Sequence, residues 1–111
     1  PPYTISPTLP TSVQVDIDYI IQSNWKTGAT IKIIITNTGT SSINAWELSF
    51  DFPDNQKITN LWGGSYNQIG SKVTIRNASW NSKILVNESV NIGFNLTHNG
   101  INEKPKNITI D

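Results

Sequence analysis

The sequence predicts an all-β fold, an antiparallel β-sandwich or jelly roll of about eight or nine strands. Three observations predict it. Apolar and polar residues alternate with a period of two along most of the chain, the mark of half-buried strands. The alternating runs are rich in β-branched and aromatic residues, which suit a pleated, half-covered surface. Turn-forming residues interrupt the runs at short intervals, and no segment shows a capped helical period.

The elements follow in order. Residues 1–12, PPYTISPTLPTS, hold four prolines among Thr and Ser. Proline fixes φ and withholds a donor, so this stretch reads as the tail of an interdomain linker. It leads into a module over 13–111. There Val13, Val15, Ile17, Tyr19 and Ile21 share one parity, with Asp16 and Asp18 on the other. Ile31, Ile33 and Ile35 alternate with Lys32, Ile34 and Thr36, up to the turn Asn37-Thr38-Gly39. In AWELSFDF (45–52), Trp46, Leu48, Phe50 and Phe52 form one face, and Pro53-Asp54-Asn55 ends the run. Gly63-Gly64 and Gly70-Ser71 are turns before Val73 and Ile75, which alternate with Lys72, Thr74 and Arg76. Val90, Ile92, Phe94 and Leu96 alternate with Asn91, Gly93 and Asn95, ahead of Asn99-Gly100. Ile108 and Ile110 close the chain.

Composition narrows the function. The chain has 111 residues, the size of one domain, large enough for a core of its own. Eight basic and eight acidic side chains give zero formal net charge, and there is no basic stripe of the kind a nucleic-acid binder needs. No apolar run approaches the roughly 20 residues of a membrane-spanning helix. Cysteine is absent, which removes disulfides, Cys-ligated metal and thiol chemistry. His98 is the only histidine, so no His cluster for a metal exists; beside Asn99-Gly100 it reads as surface polar. Asp16 with Asp18 and Asp51 with Asp54 read as solvent-facing pairs rather than catalytic carboxylates. There is no Gly-x-Ser-x-Gly elbow and no Gly-rich phosphate loop. The expectation is a non-catalytic domain without cofactor or metal.

The four tryptophans divide into two kinds. Trp46 is in register with three large apolar residues and belongs to the core. Trp25 precedes a Thr-Gly turn, Trp62 is followed by two glycines, and Trp80 lies in NASWNS. Three such rings beside turn residues predict an exposed aromatic cluster, which usually marks a binding site. A planar indole suits the C–H face of a pyranose ring, and nearby polar groups suit its hydroxyls. Asn24 and Asn81 flank Trp25 and Trp80, Asn60 shares parity with Trp62, and Asn91 and Asn95 point away from the core. Gly93 between them leaves room for a ligand to approach the sheet. Covering one indole face is worth about 2.5 kcal/mol, and three about 7 kcal/mol, before ordering costs.

NWKTG (24–28), ITNTG (35–39), AWELSFDFP (45–53), Trp62, VTIRNASWN (73–81) and VNIGFN (90–95) carry a resemblance. In that order and spacing, from about Val15 to the end, the chain resembles a family 2 carbohydrate-binding module of the bacterial cellulose-binding type. The resemblance implies a β-sandwich with three coplanar surface tryptophans, here Trp25, Trp62 and Trp80, that lie on cellulose. Asn60, Asn81, Asn91 and Asn95 occupy positions where the family has polar sugar contacts. In its xylan-binding branch an arginine three residues after the first tryptophan props that indole upright; here the position is Gly28, as in the cellulose-binding branch. Val15 stands where many members have a cysteine. One extra residue between Tyr19 and Trp25 is enough to shift the first ring. Such modules hang by linkers from glycoside hydrolases, which implies a secreted, extracellular, monomeric module, C-terminal to an endoglucanase. Two other readings stand beside it: the same fold binding xylan or other soluble β-glycans, and a β-sandwich that binds protein with the same tryptophans.

Overall fold

In the computed structural model, which describes residues 14–111, the chain forms eight strands and, among those residues, no helix. The linker expected over 1–12 lies outside the described residues. The strands are β1 (Val15–Trp25), β2 (Gly28–Asn37), β3 (Glu47–Asp51), β4 (Lys57–Trp62), β5 (Gly64–Ile69), β6 (Lys72–Asn77), β7 (Ser89–Thr97) and β8 (Lys106–Ile110). They make two four-stranded sheets, in the orders β1-β2-β7-β4 and β5-β6-β3-β8. All pairings are antiparallel.

The period of two decides what each face buries. Ile31, Ile33 and Ile35 of β2 and Ile92, Phe94 and Leu96 of β7 face inward and are buried. Leu48 and Phe50 of β3 and Val73 and Ile75 of β6 meet them from the other sheet. Phe50 joins the layers. Its ring stacks on Phe94 at 6.3 Å and meets Phe52 edge-on at 5.2 Å and Tyr19 edge-on at 6.4 Å. Trp46 is 2% exposed and closes one end of this core, as its register with Leu48 predicts. Its Nε1 donates to the carbonyl of Asn81 at 2.9 Å.

β2 and β7 pair without interruption. The outer strands of the first sheet do not. In β1 the register shifts between Ile21 and Ser23, leaving Gln22 as a bulge. In β4 it shifts between Ile58 and Asn60, leaving Thr59 as a bulge. An extra residue changes which face the following side chains take. Ile21 pairs with the inward Ile31, yet Ser23 pairs with the outward Thr30 and Trp25 with Gly28. Ile58 pairs with the inward Leu96, yet Asn60 pairs with the outward Asn95 and Trp62 with Gly93. Without the bulges, Trp25 would share a face with Tyr19, and Trp62 with the buried Ile58. The bulge at Gln22 thus sets Trp25 on the outer face.

Candidate functional site

The outer face of the first sheet is laid out by register. One row across the strands reads Trp25, Gly28, Thr97, Lys57; the next reads Ser23, Thr30, Asn95, Asn60; the next reads Ile20, Lys32, Gly93, Trp62. Trp25 and Trp62 therefore point to the same side of the same sheet. Each lies against a glycine on the neighbouring strand. A Cβ on Gly28 would come within 2.9 Å of Cζ2 and Nε1 of Trp25, and one on Gly93 within 2.4 Å of Nε1 of Trp62. The glycines are four residues apart in register, about 13 Å along the strands and about 5 Å across them. Both rings stay open to solvent, Trp25 at 48% exposure and Trp62 at 47%.

The row between the two rings is polar and internally bonded. Thr30 Oγ1 donates to Asn95 Oδ1 at 2.7 Å, and Asn95 Nδ2 donates to Asn60 Oδ1 at 3.0 Å. Thr59, the bulge residue, donates to the Asn95 carbonyl at 3.2 Å. Fixed amide and hydroxyl groups between two aromatic faces are what a sugar with ring hydroxyls requires. Asn91 is exposed one row beyond Gly93 on the same side.

Trp80 is not in a strand. It lies in a tight turn after β6 and is 75% exposed. Asn81 fixes that turn: its Oδ1 accepts from the Ala78 N–H at 2.8 Å, and its Nδ2 donates to the Gly63 carbonyl at 2.7 Å. Gly63 follows Trp62 directly. It has φ 86°, which glycine adopts readily, and it carries the chain from the first sheet to the second. A Cβ on Gly64 would stand 2.4 Å from the Arg76 carbonyl, so this crossing admits no side chain there. The bond from Asn81 holds the Trp80 turn to the end of β4. Along β4 the order is then Trp25, the Asn95–Asn60 row, Trp62 and the Trp80 turn.

Several expectations need correction. Asn81 is buried, and its amide is spent on Ala78 and Gly63, so it holds the turn rather than facing a ligand. Asn24 is on the opposite side of β1 from Trp25, paired with the inward Ala29. Its Oδ1 meets His98 Nε2 at 3.0 Å and accepts from Asn102 Nδ2 at 3.1 Å, so it braces the end of the sandwich. His98 is buried, not surface polar. Its Nδ1 accepts from the Gly100 N–H at 2.9 Å, which leaves Nε2–H to donate toward Asn24 Oδ1 and the Gly28 carbonyl. The space above Gly93 is filled by the indole of Trp62, not left open for a ligand. Among the described residues, no group of His, Cys, Asp or Glu is arranged to hold a metal ion.

Comparison with known proteins shows the family and the fold. The family described as cellulose binding domain matches residues 15–111. Exoglucanase A of Cellulomonas fimi is 43% identical over 89 residues, covering 80% of this chain and 10% of its own. Endoglucanase B of the same organism is 36% identical over 105 residues, covering 94% of this chain and 10% of its own. The chain thus spans about a tenth of the length of these relatives. Among solved structures, the chitin-binding domain of Chi18aC from Streptomyces coelicolor superposes with a TM-score of 0.68 at 31% identity, covering 91% of each chain.

Proposed function

Because the chain belongs to the cellulose binding domain family, a family of non-catalytic carbohydrate-binding modules, we propose that its ligand is cellulose. Trp25, Trp62 and Trp80 form the contact surface, with Asn60, Asn91 and Asn95 supplying polar contacts. The observation that carries this is the pairing of Trp25 and Trp62 on one outer sheet face, half exposed, with a bonded Thr–Asn row between them. A stiff, flat β-1,4-glucan is already ordered and loses little freedom when it covers such rings. Zero net charge fits an uncharged polymer. The module acts as a monomer outside the cell and keeps a covalently attached glycoside hydrolase, an endoglucanase, against the plant cell wall.

The test is depletion from solution. Shaken with microcrystalline cellulose, the purified protein leaves the supernatant, and Trp62→Ala leaves it less. A protein that stays in solution sinks the reading. Chitin is the second reading, supported by the 31% identity to the chitin-binding domain of Chi18aC. Parallel tubes of chitin and cellulose decide between the two, and stronger depletion by chitin would reverse the assignment.

A further inference from the structure

Gly93 lies in the middle of the candidate face but is itself buried. A Cβ built on it would stand 2.4, 2.4 and 2.5 Å from Cε2, Nε1 and Cζ2 of Trp62, closer than non-bonded atoms come. Those indole atoms are its three nearest neighbours, and no backbone atom is among them. The other crowded glycines differ. A Cβ on Gly28 would stand 2.7 Å from the Leu96 carbonyl as well as meeting Trp25, one on Gly63 2.9 Å from the Asn91 carbonyl, and one on Gly64 2.4 Å from the Arg76 carbonyl. Nor does Gly93 adopt the left-handed φ of Gly63, Gly70 and Gly100, so its backbone accommodates a side chain. What a side chain there meets first is the ring.

We propose that Gly93 is a positioning residue for carbohydrate binding: the volume of its absent side chain is the seat that fixes the Trp62 indole over β7. The inference rests on Trp62 being a ligand contact. A methyl group at 93 lifts the indole from the sheet, and the half-exposed ring is free to move. A flat polymer meets several rings at once only if they stand at one height. A displaced Trp62 therefore loses its own contact and also obstructs those of its neighbours.

The experiment compares Gly93→Ala, Trp62→Ala and the double variant. Binding is read on microcrystalline cellulose, folding by thermal melting, and ring position by indole N–H signals in a nitrogen–proton NMR spectrum. Gly93→Ala is expected to fold and to bind about tenfold or more weakly, the scale of one aromatic contact. The Trp62 signal, identified by its loss in Trp62→Ala, should move while that of Trp46 stays. In the Trp62→Ala background, Gly93→Ala should add nothing. Wild-type binding by Gly93→Ala, an unmoved Trp62 signal, or losses that add in full would each overturn the inference. If Gly93→Ala fails to fold but the double variant folds, the conflict with the ring is upheld; if both fail, the inference is overturned. A wild-type protein that ignores cellulose while Gly93→Ala still moves the Trp62 signal removes the cellulose reading and upholds the seat.

Discussion

Strands β2 and β7 carry the core on one side and the candidate face on the other, and the two sides obey different rules. Inward, Ile31, Ile33, Ile35, Ile92, Phe94 and Leu96 are buried under the opposing sheet. Outward, the same strands offer Gly28, Thr30, Lys32, Ile34, Asn91, Gly93 and Asn95. The aromatic area on that side comes from the edge strands, as indoles laid over glycines. Among the described residues, nothing covers its upper surfaces. Apolar character does not separate the sides, since both use tryptophan. What separates them is whether the molecule covers the ring: Trp46 is 2% exposed and Trp80 is 75% exposed. Asn81 stands between the two, its carbonyl on Trp46 and its side chain holding the turn of Trp80.

That contrast is open to direct attack. The largest effect is expected inside: Trp46→Ala should lower unfolding free energy by about 3–5 kcal/mol in a denaturant titration. Asn81→Ala should cost about 1–3 kcal/mol of stability by stranding the Ala78 N–H and the Gly63 carbonyl. It should weaken cellulose binding as well. Binding lost with stability intact would return Asn81 to the list of ligand contacts. Trp62→Ala should cost about 1–3 kcal/mol of binding and clearly less stability than Trp46→Ala, because only part of its ring is covered. If the Trp46 and Trp62 results exchanged places, the distinction between the faces would collapse.

The smallest effect concerns Tyr19, whose hydroxyl is buried without a partner among the described residues. Burial raises its ionisation well above the ordinary 10.0. Above pH 10.0 the unfolded chain then releases this proton before the folded one does, so stability falls as pH rises past that point. Tyr19→Phe should be neutral or stabilising by up to about 1 kcal/mol at neutral pH. It should also flatten the alkaline decline in a melting series.

Alternation made the sandwich legible. It placed Trp46, Leu48, Phe50 and Phe52 inside, and all are buried. β4 and β5 were not individually legible, for separate reasons. In β4, Ile58, Asn60 and Trp62 share one parity, which describes a single face until the bulge at Thr59 divides it. β5, GSYNQI, is a polar strand at a sheet edge and has no apolar rhythm of its own. Trp25 was placed outside by its turn neighbours; parity alone would have sent it to the side of Tyr19. The roles of Asn24 and His98 depend on each other across 74 positions of sequence, and no local pattern announces such a pair. For Gly93, the vacancy was legible but its occupant was not, because that depends on the pairing of β4 with β7.

The bulges at Gln22 and Thr59 give the two edge strands a length reserve. Losing Gln22 or Thr59 would restore plain alternation and leave Trp25 or Trp62 facing the same way. β2 and β7 have no such slack, and a single lost codon there would turn half the sheet inside out. Insertions and deletions in the lineage of this domain should therefore collect at its margins, where one amino acid more or less does not disturb the aim of an indole.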